Sequence, residues 1–245
     1  MADGLNRSTG KETKPTVGSG KFEQINNAIP FNGIRDALEQ ILKRVISSHT
    51  RSVIVQTLRV FLNDFTIQIL ADQLVPGMKE LFGDINCPVM VLSAFENRMR
   101  LEDGLGRWLQ AMCSLCEPYP PVIILDDLQW ITESTASLLK SMIFNEKVSI
   151  LYLITFRPVA TEPLDSCYPV HLLQQEIEKK DDILLYHILL KELELQDSMH
   201  LISDSMGTTN NLQSLAEIIH SKTSGNPFFV NQVSSMDAST TREKF

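Results

Sequence analysis

The 245-residue chain contains no apolar run near the ~18 residues a bilayer span requires, so no stretch reads as a membrane helix. It has no excess of basic charge either. Its 22 Lys and Arg stand against 30 Asp and Glu, and the net charge of −8 carries no basic stripe, which argues against nucleic acid as a partner and leaves a replication-origin DNA-binding ATPase as a weaker reading. Cysteine is sparse. Cys87, Cys113, Cys116 and Cys167, with no signal-peptide pattern, fit a reducing, cytoplasmic compartment. Cys113-x-x-Cys116 falls in a helical pattern without a second pair at zinc spacing and is read as packing, and the five histidines form no metal motif. A phosphate loop of the form G-x4-GK[ST] is absent too. Gly18-Ser19-Gly20-Lys21-Phe22 comes nearest, but Pro15 stands where the first glycine belongs and Phe22 where a Mg²⁺-binding hydroxyl belongs.

What is present is a chain 43% hydrophobic, enough for one large or two small domains, organised around Pro121 to Trp130. Val122-Ile123-Ile124-Leu125 leaves no polar position, as in a strand buried on both faces, and ends abruptly in Asp126-Asp127. In open α/β sheets ligands bind at the carboxyl ends of strands, so an acidic pair there suits a hydrated Mg²⁺ and a nucleotide phosphate. On the run alone, a buried strand with an acidic exit turn fits as well. Arg107 to Leu115 predicts a helix before the strand. Thr132 or Ser134 caps one after it, with Leu138, Leu139, Met142 and Ile143 on its face. A second apolar run, Val148 to Ile154, ends in Thr155-Phe156-Arg157. Short crossover connections predict that the two runs are neighbouring parallel strands, with Asp127 and Arg157 at one edge.

Elsewhere, Pro30 to Ser47 predicts an amphipathic helix, and Val53 to Phe82 two or three helical pieces closed by Gly83. Cys87 to Leu92 reads as loop, Cys167 to Leu173 as a last core strand. Helices are expected from Asp181 or Asp182 to Leu190, from Asp197 to Ser203 and from Leu212 to Thr223, with Pro227 opening a last turn.

Several of these stretches together resemble, in order, the STAND-type, origin-recognition-complex-like branch of AAA+ P-loop ATPases. Ile124 to Trp130 is similar to its Walker B segment. Gly20 to Gln24 with Ile29-Pro30-Phe31, Glu96-Asn97-Arg98, Thr155-Phe156-Arg157 and Lys222 to Val230 resemble four further segments. The resemblance implies an α/β fold: an incomplete AAA+ parallel-sheet core with helices on both faces, then a helical lid. Residues 1–20 would be a disordered tail, 21–173 the core, 174–235 the lid and 236–245 a second tail. It implies ATP and Mg²⁺ as cofactors, Asp126 holding the metal, Asp127 polarising the attacking water and Arg157 sensing the γ-phosphate. Gly225, Asn226 and Pro227 would lie against the nucleotide. The family's first strand, phosphate loop and first helix have no counterpart here. The expectation is therefore a fragment of an ATP-binding signalling switch with weak or no hydrolysis, able to engage nucleotide if that unit is supplied. A non-enzymatic regulatory or protein-interaction module, with protein partners or self-association, is the competing expectation.

Overall fold

The computed structural model describes residues 14–24, 31–83, 85, 87, 93–157, 168–207 and 212–242, the last seven of these by backbone alone. It is a mixed α/β structure that divides into two compact units, Met1–Ile183 and Leu184–Phe245.

The first unit holds a three-stranded parallel sheet in the order β1 (Val17–Lys21), β2 (Val122–Asp126), β3 (Leu151–Ile154). Val17 to Gly20 thus belong to a strand, and the expectation of a disordered tail through residue 20 is corrected there. The reason lies in two glycines. Gly18 and Gly20 face α1 (Asn32–Ser48), whose Ala37 and Gly33 carbonyl oxygens would sit 2.1 and 1.7 Å from a Cβ at those positions. A run of small residues that looks too polar to order is what lets a helix lie directly on the strand. The Gln40 side chain of α1 then bonds both the N–H and the C=O of Ser19.

Around the sheet come α2 (Arg51–Phe61), α3 (Asp64–Gln73), α4 (Met78–Phe82), α5 (Ala94–Leu115), α6 (Glu133–Ile143) and α7 (Tyr168–Glu178). Asn63, Ser93 and Thr132 cap α3, α5 and α6 through their side chains, and Gly83 closes α4 with φ 72°. Their apolar stripes meet in one core with Leu38, Leu58, Leu70, Trp108, Ile123 and Leu139 fully or almost fully buried. The expected last strand at Cys167 to Leu173 is a helix in its described part. Val170, Leu173 and Ile177 recur at helical spacing and all three enter the core, whereas Leu172 points out. Helices on both faces are not found among the described residues. Ile123 and Leu125 are buried on the α1 side, while on the other face Leu151 and Leu153 remain 59% and 51% exposed.

In the second unit, α8 (Leu195–Met206), α9 (Gln213–Thr223) and α10 (Pro227–Arg242) pack around Ile202, Leu212, Ala216, Ile219 and Val230. Ser198 of α8 and His220 of α9 share a 2.9 Å hydrogen bond. The helix expected up to Leu190 does not form: residues 184–194 precede α8 without regular structure. Seven of the eight residues from Ile183 to Leu190 are apolar, which offers a helix no polar face and so no preferred side to bury. The expected tail from Met236 is helical through Arg242. Among the described residues no single helix is long and apolar enough to cross a membrane. Residues 1–13 of the expected tail, most of Cys87 to Leu92, and Ile29-Pro30 lie outside the described residues.

Candidate functional site

The carboxyl edge of the sheet is where the chemistry-bearing side chains gather. Parallel register sets Lys21 opposite Asp126, and the Phe22 N–H donates to the Asp126 carbonyl at 3.0 Å, extending the ladder past both strands. Asp127 leaves the strand at φ 59°, ψ 44°, a left-handed conformation that Asp tolerates better than most residues. That turn is held from β3. The Asp127 N–H donates to Thr155 Oγ1 at 3.2 Å and the Leu128 N–H to the Thr155 carbonyl at 2.9 Å.

Each of the four carboxylate oxygens of the acidic pair has a donor. Lys21 Nζ lies 3.2 Å from Asp126 Oδ2 and 2.9 Å from Asp127 Oδ2. Thr155 Oγ1 donates to Asp126 Oδ1, and Gln129 Nε2 donates to Asp127 Oδ1 at 3.0 Å. Gln129 is buried, and its other end is used too: Oε1 accepts the Arg157 N–H at 3.2 Å. Lys21 and Gln129, in that order, hold the Asp127 carboxyl below the usual carboxylate range, with a smaller contribution from the Arg157 charge. Reciprocally, hydrogen bonds from its ammonium to Asp127 and Asp126 raise Lys21 above the usual lysine value.

Asp126, Asp127 and Arg157 are therefore at one edge, as the strand pattern predicts. Gly225, Asn226 and Pro227 belong to the second unit and have local work there. Gly225 has φ 69°, and a Cβ on it would meet the Leu193 carbonyl oxygen at 2.3 Å. Asn226 Oδ1 accepts the Phe228 N–H at 3.0 Å, and Pro227 opens α10. Glu96 likewise closes a capping box with Ser93 at the start of α5. Lys21, Thr155 and Gln129 fall inside the family-like segments, but the sequence reading gives none of them a role at the site. For Lys21 and Thr155 the signal is register, because each sits at or just beyond a strand end level with Asp126, whereas Gln129 lies in the turn that follows the strand.

The donor set as arranged does not fit an inner-sphere divalent cation. Every oxygen of Asp126 and Asp127 already accepts from a protein donor, and an ammonium lies between the two carboxylates. No group of three or more His, Cys, Asp or Glu is placed for metal binding among the described residues. Burial pushes the Cys113 and Cys116 thiols up, away from the reactive thiolate form. Comparison with family models, with curated proteins and with solved structures finds no match to this chain.

Proposed function

We propose that this chain is a fragment of a nucleotide-dependent signalling switch of the STAND-type AAA+ kind, one that engages ATP only when the missing phosphate-binding unit is supplied, with weak or no turnover from these residues alone. The observation that carries this reading is the convergence of Asp126, Asp127, Thr155 and Arg157 at the carboxyl edge of parallel strands. Phosphoryl transfer is catalysed mainly by positioning and by charge around the γ-phosphate. Two carboxylates and a guanidinium at one sheet edge supply the polar half of that requirement. The other half, a cradle of backbone N–H groups with a lysine at a helix N-terminus, has no G-x4-GK[ST] sequence to build it here. A non-enzymatic regulatory module is the second reading, and the full engagement of both carboxylates by Lys21, Thr155 and Gln129 favours it.

Two experiments separate the readings. In the first, the purified chain and its Asp127→Asn variant are assayed for Mg²⁺-dependent ATPase activity, and both are expected to remain at background. Turnover that vanishes in Asp127→Asn would mean that another segment supplies the cradle. In the second, a strand, G-x4-GKT loop and helix are fused ahead of residue 14. Nucleotide affinity that appears in the fusion and falls on Arg157→Ala supports the switch; a folded fusion that ignores nucleotide leaves the regulatory module.

A further inference from the structure

The run from Leu184 to Leu190, which opens the second unit, is apolar at every position except its middle one, His187. Leu184, Tyr186, Ile188, Leu189 and Leu190 are each more than two-thirds exposed, and the run belongs to no helix or strand. An apolar run without a helical period suits a strand, and a strand needs a neighbour to complete its backbone hydrogen bonds. The run also reads nearly the same in both directions. About His187, Leu184 answers Leu190, Leu185 answers Leu189 and Tyr186 answers Ile188. Two such runs related by a two-fold axis through His187 therefore pair antiparallel with like opposite like. Tyr186 falls across from the partner's Ile188, the aromatic and β-branched pairing that neighbouring strands favour. Alternation places Leu184, Tyr186, Ile188 and Leu190 on one face, so the two copies join these side chains into one apolar layer. The exit of the run is anchored, because the Leu193 N–H donates to the Gly225 carbonyl at 2.9 Å in the turn before α10.

We propose that residues 184–190 are a self-association strand, which pairs antiparallel with the same residues of a second copy about a two-fold axis at His187. At about 3.4 Å per residue the run spans ~24 Å, and pairing two of them buries on the order of 1,000 Å² in total. That area is the lower bound of a specific interface and suits a weak, reversible dimer. The competing surface is β3, an outer strand of its sheet with Leu151 and Leu153 exposed. It offers four residues where the run offers seven. The proposal rests on the second unit alone, so it stands or falls independently of the nucleotide-switch reading.

The test is sedimentation velocity of the full chain, which should pass from monomer to dimer between about 1 and 100 μM, the range suited to an interface of this size. His187→Lys and His187→Glu each set like charges opposite one another on the axis, and each should weaken the dimer at least about tenfold. Mixed together, the two variants should form a heterodimer, because the charges facing across the axis are then opposite. Circular dichroism checks that both are folded. If either is not, the same test uses Leu185 and Leu189, which also face each other across the axis. A chain carrying Leu185→Lys with Leu189→Glu should then dimerise at least about tenfold more tightly than one carrying Leu185→Lys with Leu189→Lys. A parent that stays monomeric throughout would overturn the proposal, as would charge variants that dimerise like the parent or a mixture that remains monomeric. Loss of the dimer in Leu153→Lys, with both variants at position 187 still dimeric, would overturn it in favour of β3.

Discussion

The two units use apolar residues on different terms. In Met1–Ile183, helical stripes from α1 to α7 converge with Ile123 and Leu125 on one core in which even Trp108 has no exposed surface. In Leu184–Phe245, Ile202, Leu212, Ala216, Ile219 and Val230 form a small core, while Leu184, Tyr186, Ile188, Leu189, Leu190 and Phe228 are each more than two-thirds exposed. Hydrophobic content does not separate them; size and periodicity do. A unit of about 60 residues buries a smaller fraction of its surface than a larger one, and an unbroken apolar run provides no polar face against which to orient.

The largest expected effect tests whether the first unit owes its order to close backbone packing. Gly20→Val places a branched side chain where even a Cβ would come within 1.7 Å of the Gly33 carbonyl oxygen. Backbone cannot move aside as a flexible side chain does, so the variant should lose about 3 kcal/mol or more, measured by urea denaturation. A loss below about 1 kcal/mol would show that β1 is not seated on α1.

A pair of smaller changes sharpens the contrast. Both tryptophans, Trp108 and Trp130, lie in the first unit, so their fluorescence reports that unit alone, whereas far-ultraviolet circular dichroism reports both. Leu38→Ala should cost about 2–5 kcal/mol and lower the urea midpoint seen by fluorescence. Ile219→Ala acts on the small core and should reduce the helical signal of α8 to α10 first, leaving the fluorescence midpoint in place. A common shift of both signals by either change would unite the two units into one cooperative structure.

The contrast also governs what could be read from sequence. Stripes with a polar opposite face, such as Ile34, Leu38, Ile41 and Val45, carry their own period and emerge as helices near the expected bounds. The strand Val122 to Asp126 and its parallel neighbour follow from apolar runs joined by one helix. The sequence is silent where local pattern carries no preference. Val17 to Gly20 looks like a linker because its ordering force is a helix approaching two glycines from 13 or more residues away. The helical spacing of Val170, Leu173 and Ile177 is masked by the intervening Leu172, which makes the segment look like a strand. At the candidate site, the acidic pair and Arg157 are legible as strand-end residues. Lys21 is not, because its meaning depends on a register between strands separated by a hundred residues of chain.

The smallest expected effect isolates the charge cluster of the first unit through pH. The Asp127 carboxyl is held low by Lys21 and Gln129, so its contribution to stability is present above the ordinary aspartate value of about 4 and fades as pH falls through its lowered folded value. Lys21 is raised, so its contribution is present below the ordinary lysine value of about 10.4 and fades only as pH rises through its higher folded value. Between those limits the bridge is charged on both sides and should give a plateau. Asp127→Asn removes the acid limb that this carboxyl contributes, so the stability difference between parent and variant should be largest at neutral pH and shrink below about pH 4. High salt should shrink it as well, because the bridge is exposed to solvent. The measurement is a series of tryptophan-monitored urea titrations from pH 3 to 8, an interval set by the ordinary Asp value. A difference that grows as pH falls would mean that the folded protein favours the protonated Asp127 carboxyl, contrary to a carboxylate held by Lys21 and Gln129.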